Sequence, residues 1–212
     1  MNDYVKINSK RYPDIILRAV PGHFVTPNSH INKYVDMTAM LRRQSEAKAV
    51  AKAMAEYYNV STKIDTIICM DGTEVIGAYL ADDLTKAGVL STNAHKTMYI
   101  TAPEYDLSGQ MIFRENTMMM VRNKKVLVLL ASATTGRTIG RAVESINYYG
   151  GEVVGISAIF SAVSAVAGLP VFSIFDRRDV PDYEAYRHRD CPMCRKGIKV
   201  DAICNGFGYS AL

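Results

Sequence analysis

The chain has 212 residues, 49% of them hydrophobic, and a formal net charge of +4. This length suffices for one well-buried core and is short for two full-sized domains. Trp is absent, and no aromatic residues alternate with Lys/Arg runs, which argues against a nucleic-acid surface. The opening residues lack an apolar signal core, and the uncharged stretch 153–175 is interrupted by Gly, Pro and Ser as buried strands are. We therefore expect a soluble, cytoplasmic protein that binds neither nucleic acid nor membrane.

Strand and helix patterns alternate from residue 44 to residue 176. The first predicted elements are a helix over 44–58, a strand over 65–70, a helix after Gly72 and a strand over 98–101. A loop or long hairpin over 102–110 then leads into 111–113. The last elements are a strand over 124–132, a helix ending at Gly150, and strands over 152–160 and 170–175.

This alternation predicts an α/β fold with a doubly wound, mostly parallel sheet of five strands over about 61–176, with helices on both faces. We expect the segments 1–60 and 177–212 to form a hood over the carboxyl ends of the strands, where such sheets bind ligands.

The most informative segment is the turn between the strand over 124–132 and the following helix. Its residues are Ala133, Thr134, Thr135, Gly136, Arg137 and Thr138. Backbone N–H groups converge in such a turn, the helix dipole adds positive charge, and the hydroxyls and Arg137 add donors. Neither GxxxxGK[ST] nor GxGxxG is present. The turn predicts a phosphate site, with a structural turn that binds no ligand as the alternative.

The same segment resembles the ribose-5-phosphate loop of the type I phosphoribosyltransferases, in which the strand ends in two acidic residues before a TTGGT-like turn. Here the two acidic positions are Leu130 and Ala131. In that family the carboxylates hold the ribose hydroxyls of phosphoribosyl pyrophosphate (PRPP), and Leu and Ala can accept no hydrogen bond. The resemblance therefore implies an intact phosphate cradle without the usual ribose contacts.

Three further segments resemble the same family, most closely its orotate phosphoribosyltransferases. Residues 69–84 resemble the pyrophosphate-side loop, which implies a site at Asp71, Gly72, Thr73, Glu74 and Gly77. Residues 22–36 resemble the orotate-binding segment, which implies base contacts from Phe24, Asn28, Ser29 and His30. Residues 190–197 resemble the closing CPLCxxG segment. Most lysines of the family's catalytic loop are missing, which leaves Lys96 and Arg114 as the catalytic candidates that neutralise the leaving charge.

The cysteines form a separate question. His188, Cys191, Cys194 and Cys204 have the spacing of a knuckle-type zinc site, although only one cysteine follows the CxxC pair. We expect inert, reduced thiols and no protein metal ligands, with zinc binding and a redox-active pair as the alternatives.

The resemblance implies transfer of a 5-phosphoribosyl group from PRPP to a pyrimidine base such as orotate, with Mg²⁺, by a homodimer. Uncovered apolar hood residues would support the dimer. These residues are Tyr34, Val35, Met37, Met40 and Leu41. Because the acid pair is replaced, a catalytically weak or inactive regulatory protein that binds a nucleotide or ribose phosphate remains an alternative. A zinc-stabilised interaction protein is a third.

Overall fold

The computed structural model describes residues 4–58, 62–86, 92–94, 97–205 and 208–212. Its strands are β1 (Val5–Asn8), β2 (Ile16–Val25), β3 (His30–Asp36), β4 (Thr66–Cys69), β5 (Tyr99–Thr101), β6 (Glu104–Tyr105), β7 (Met111–Ile112), β8 (Lys125–Ala133), β9 (Glu152–Ser161), β10 (Ala165–Val166), β11 (Leu169–Asp176), β12 (Ala185–Tyr186), β13 (Ala202–Asn205) and β14 (Gly208–Ala211). Its helices are α1 (Thr38–Arg42), α2 (Gln44–Tyr58), α3 (Glu74–Lys86), α4 (Glu115–Met118), α5 (Arg137–Tyr148) and α6 (Pro192–Arg195). Within these ranges, no helix combines the length and the apolar character that a membrane crossing requires.

The central sheet has the strand order β10-β11-β9-β8-β4-β5. Its neighbouring strands pair in parallel from β11 to β5, as the alternation of strands and helices predicted. The two-residue strand β10 adds an antiparallel edge. It turns into β11 through Ala167 and Gly168, whose φ angles of 51° and 79° suit a tight hairpin turn. The predicted doubly wound α/β fold is confirmed.

Strand β8 is buried on both faces, which explains its continuous apolar sequence. Leu127 and Leu129 join the core cluster that contains α2 and α3. Val126 and Val128 join the cluster that contains α5. Helices therefore cover both faces of the sheet, and β8 is the centre of the core.

The two terminal segments combine in a second sheet, with the order β12-β3-β2-β13-β14 and β1 beside β2. Strand β2 pairs antiparallel with β3 and parallel with β13, so chain regions about 180 residues apart lie side by side. We call this sheet, together with α1, the hood.

The hood residues that we expected to remain uncovered are buried. Their exposed fractions lie between 2% and 8% for Tyr34, Val35, Met37, Met40 and Leu41. The physical argument for a homodimer is therefore wrong, because these side chains pack within the chain itself. The homodimer stays a prediction that rests on the family resemblance.

The sequence predicted either a loop or a long hairpin between β5 and α4, and the structure has a hairpin there. Strands β6 and β7 pair antiparallel. The carboxylate of Asp106 closes the tip by accepting hydrogen bonds from the backbone N–H groups of Ser108 and Gln110, both at 2.8 Å. The hydrogen bond from the Ser108 hydroxyl also lowers the pKa of Asp106.

Candidate functional site

A cavity of about 350 Å³ lies between the hood and the carboxyl ends of the central strands. This volume lies in the range of small-molecule sites. Hood residues of its wall include Asn28, Ile31, Tyr34, Tyr183 and Cys204. Core residues include Asp71, Leu130, Ser132, Thr134, Thr138, Arg141 and Phe160. The carboxyl-end position is the one that a doubly wound sheet predicts for a ligand.

The predicted phosphate turn lies beside this cavity. Strand β8 ends at Ala133, and α5 begins at Arg137 after Gly136, whose φ is +74°. A second void of about 30 Å³ lies within the turn. It shares Asn28, Leu130, Ser132, Thr134 and Thr138 with the cavity. Because the first N–H groups of a helix have no partner within the helix, the turn can bind an anion next to a ligand in the cavity.

At the two replaced acidic positions, the end of β8 is apolar. Leu130 and Ala131 are each 1% exposed. A carboxylate approaches the same place from the neighbouring strand, because Asp71 lies near the backbone N–H groups of Ala131 and Ser132, which act to lower its pKa. Burial raises the pKa of Asp71, although these N–H groups oppose the shift. Among the cavity-lining residues that the structure describes, Asp71 is the one carboxylate.

The other residues predicted for the pyrophosphate side have different surroundings. Gly72 has a φ of +77°, and a Cβ there would lie 3.0 Å from Nη2 of Arg42. The Thr73 hydroxyl donates to the carbonyl of Met70 at 2.8 Å, which supports the turn. Gly77 lets α3 approach β4, because a Cβ would collide with Cys69 Sγ. Glu74 is exposed at the start of α3.

Two arginines near the site were not predicted from the sequence. Arg141 lines the cavity one turn after Thr138 on α5, and helical spacing could have included it. Arg42 lies over Gly72, which only the tertiary fold brings about.

Of the two predicted catalytic cations, the structure describes Arg114, which lies away from the cavity. Arg114 does not line it, because its guanidinium pairs with Glu104, with Nε 3.0 Å from Oε2. This pairing raises the pKa of Arg114 and lowers that of Glu104. Lys96 lies outside the described residues.

Comparisons with known proteins place this geometry in context. No protein-family model matches the sequence. Orotate phosphoribosyltransferase from Caldicellulosiruptor saccharolyticus is 24% identical over 94% of this chain and 95% of its own. That from Thermus thermophilus is 26% identical over 86% of this chain and 92% of its own. Adenine phosphoribosyltransferase from Trypanosoma brucei, solved with AMP, pyrophosphate and ribose-5-phosphate, matches with a TM-score of 0.53 at 13% identity, over 89% of this chain and 80% of its own.

The chain is similar to orotate phosphoribosyltransferases over most of its length, and its fold is that of the type I phosphoribosyltransferases. The resemblance seen in the sequence motifs is confirmed, since the orotate enzymes of these two organisms match 94% and 86% of this chain.

Of the residues predicted to contact a base, only Asn28 lines the cavity. Phe24 is 1% exposed and packs on Tyr34, with ring centroids 5.7 Å apart. The Ser29 hydroxyl hydrogen-bonds with Thr26 Oγ1 at 2.9 Å. These two residues therefore support the hood.

Aromatic rings that were not among the predicted base contacts line the cavity instead. They are Tyr34, Phe160 and Tyr183. Burial, and to a lesser extent the Asp36 carboxylate, raise the pKa of Tyr34 to about 12, so the phenol is neutral at physiological pH. Phe160 and Tyr183 contact each other edge to face, with ring centroids 4.8 Å apart.

His30 lies in a cluster of potential metal ligands. Ligand atoms of His23, His30, Cys191 and Cys194 all lie within 4.8 Å of one another. The sequence spacing had instead grouped the two cysteines of this pair with His188 and Cys204, which are not part of the cluster. Cys204 faces the cavity. The cluster depends on pairing between β2 and β3, which no linear spacing reveals.

Proposed function

We propose that the chain binds a 5-phosphorylated ribosyl ligand, PRPP or a nucleoside 5′-monophosphate, in the cavity under the hood. The observation that carries this proposal is that the phosphate-turn void adjoins the cavity and shares five lining residues with it. The Trypanosoma brucei relative, solved with AMP and ribose-5-phosphate, supports the same class of ligand.

The wall chemistry suggests an orientation for such a ligand. Its phosphate would lie on the turn 133–138, where backbone N–H groups and threonine hydroxyls are available. Arg141 adds a charge-assisted donor from the next turn of α5. The base would lie towards Tyr34, Phe160 and Tyr183, whose rings offer apolar faces, with Asn28 as a polar partner.

The ribose would then lie next to the end of β8. Leu130 and Ala131 offer its hydroxyls no acceptor there, and Asp71 is the acceptor that the structure brings to that place. Binding depends mainly on the phosphate cradle, which is intact. Turnover depends on stabilising the electron-poor ribosyl group in the transition state. We therefore propose efficient ligand binding with slow chemistry.

A second candidate function is transfer of the phosphoribosyl group to a pyrimidine base such as orotate, and the position of Asp71 favours it. In that reaction the bond from ribose C1 to a pyrophosphate oxygen breaks, a bond from C1 to a ring nitrogen of the base forms, and the nitrogen loses its proton to solvent. Asp71 would stabilise the positive charge that develops on the ribose.

The wall fits a family-type Mg²⁺ ion, because this metal commonly takes one or two carboxylates together with substrate phosphates and water. Asp71 would hold it, and the ion would neutralise pyrophosphate charge.

One pair of assays distinguishes the two functions. Titration calorimetry with uridine 5′-monophosphate tests binding, and incubation with PRPP, Mg²⁺ and a panel of bases, followed by pyrophosphate release, tests transfer. We expect binding, with turnover far below the ~10 s⁻¹ of an ordinary enzyme. Loss of one well-placed electrostatic group costs about 10²–10³ in rate, and both the acid pair and the loop lysines are altered.

The controls make the result decisive. Gly136→Asp should abolish monophosphate binding, because it places a carboxylate and a Cβ in the turn. Leu130→Glu with Ala131→Asp should raise turnover if the apolar strand end limits it. Ordinary turnover by the wild type would contradict the binding proposal and establish the transferase, whereas absence of both binding and turnover would contradict both functions.

A further inference from the structure

The cluster of His23, His30, Cys191 and Cys194 is built from two distant parts of the chain. His23 lies in β2, His30 begins β3, and the two cysteines flank the first turn of α6. His23 is two residues before Val25, which pairs with His30, so both imidazoles lie on one face of the hairpin. Three of the four residues are buried and Cys194 is exposed. Two potential nitrogen ligands and two potential sulfur ligands thus converge at one edge of the hood.

Three nitrogen-to-sulfur separations are close to those of a tetrahedral zinc site, and the nitrogen-to-nitrogen separation is somewhat shorter. With usual Zn–N and Zn–S bond lengths, tetrahedral geometry places nitrogen and sulfur ligands about 3.5 Å apart and two nitrogens about 3.3 Å apart. His23 Nε2 lies 3.6 Å from Sγ of both Cys191 and Cys194. His30 Nδ1 lies 3.3 Å from Cys194 Sγ and 2.9 Å from His23 Nε2.

The surroundings of His23 orient it as a ligand. Its Nδ1 lies 3.0 Å from the carbonyl of Ile198 and 3.2 Å from that of Lys199. Carbonyls only accept hydrogen bonds, so Nδ1 carries the proton and the Nε2 lone pair faces the two sulfurs and His30. An outer hydrogen bond to a backbone carbonyl is the usual partner of a metal-binding imidazole.

We propose that His23, His30, Cys191 and Cys194 bind one structural zinc ion. Four protein ligands with no open position are typical of structural sites. The ion would hold the C-terminal segment to the β2–β3 hairpin, where the backbone N–H of His23 already donates to the Asp201 carboxylate at 2.7 Å.

The site would also shape the ligand cavity. Thr26, Pro27 and Asn28 line the cavity and lie between the two histidines in sequence. Asn205, the last residue of β13, also lines it, and β13 pairs with β2. A metal that fixes both ends of the 23–30 hairpin would therefore hold Asn28 in the wall. The metal proposal does not depend on which ligand the cavity binds.

Metal content of the full-length, untagged chain tests the proposal. We expect one zinc per chain by plasma mass spectrometry after dialysis. Cobalt(II) added to the zinc-free protein should give the visible absorption of a tetrahedral ion with a sulfur-to-cobalt charge-transfer band. Cys194→Ser, at the exposed position, should weaken zinc binding by more than the about 10–100-fold that loss of an outer partner costs.

The matched controls are His188→Ala and Cys204→Ser, the other members of the set suggested by sequence spacing. Both should keep a full equivalent of zinc, and loss of zinc in either would mean that the ligand set is wrong. The proposal is overturned if wild-type protein binds neither zinc nor cobalt, if Cys191 and Cys194 form a disulfide in it, or if the Cys191→Ser, Cys194→Ser double variant retains zinc. The cobalt titration uses wild-type protein, so the test stands even if a variant does not fold.

Discussion

Two glycines four residues apart should respond in opposite directions to the same substitution. Gly136 precedes α5 with a φ of +74°, and a Cβ there would lie 2.7 Å from Cγ2 of Val166. Gly140 lies within α5, and a Cβ there would meet no atom within 4 Å outside the backbone of its own helix turn. Gly136→Ala therefore probes the phosphate turn, and Gly140→Ala is its matched control.

The magnitudes follow from these two environments. An L-residue in the left-handed region costs about 1–2 kcal/mol. Displacing Val166 from its rotamer costs about 0.5–1.5 kcal/mol more. We thus expect Gly136→Ala to lower the free energy of unfolding by about 2–3 kcal/mol, and Gly140→Ala to raise it by about 0.5–1 kcal/mol through helix propensity.

Urea denaturation followed by circular dichroism measures both changes, and thermal unfolding should show about 2–4 °C per kcal/mol for a chain of this size. In a Val166→Ala background, Gly136→Ala should cost less by the steric part, which a double-mutant cycle isolates. If Gly136→Ala leaves the free energy of unfolding unchanged, or if both substitutions change it equally, the left-handed turn and the contact with Val166 in β10 are refuted.

The remaining predictions concern charges at the cavity. Burial raises the pKa of Asp71 in the folded protein. Relative to Asp71→Asn, its contribution to stability is therefore complete below the pKa of the unfolded chain, about 3.9. This contribution is lost as the pH rises through the pKa of the folded state. Urea titrations of both proteins over about pH 4–8 should show the wild type losing stability relative to the variant, and parallel curves would contradict a buried, ionisable Asp71. Arg141→Ala should weaken binding of uridine 5′-monophosphate and PRPP about tenfold or more by calorimetry, because a hydrogen bond to a charged group contributes about 1.5–3 kcal/mol. Arg42→Ala should weaken PRPP alone, since Arg42 lies over the pyrophosphate-side turn. The neighbouring Arg43→Ala, which breaks only a surface pair with Glu46, should change neither.

The sequence alone predicted the fold well because its signals are local. A doubly wound sheet follows from two local features, the apolar run of β8 and the alternation of strands and helices. It does not depend on where the terminal segments pack. The turn between β8 and α5 was equally predictable, since a strand, a short turn and a helix start are contiguous in the chain; its phosphate binding stays a prediction. Even the loss of acidic residues at Leu130 and Ala131 was visible from sequence.

The wall of the site was less predictable, because its residues come from separate elements. Phe24 and Ser29 match the base-binding motif, yet they support the hood from within. Arg114 carries the positive charge expected of the catalytic residue and lies in the segment predicted for it, but the carboxylate of Glu104 pairs with it. Such outcomes depend on which face of a strand is buried and which partner lies within reach, and a linear pattern specifies neither.

What the sequence determined by itself was therefore the sheet, its helices and the turn between β8 and α5, because periodicity and turn chemistry are properties of contiguous residues. Only the tertiary structure decided that Asp71 reaches the end of β8, that Arg42 covers Gly72, and that His23 and His30 meet Cys191 and Cys194. The physical reason is the same in each case. These contacts are made by neighbouring strands and by chain segments up to about 170 residues apart, and burial of the common core, not local propensity, brings them together.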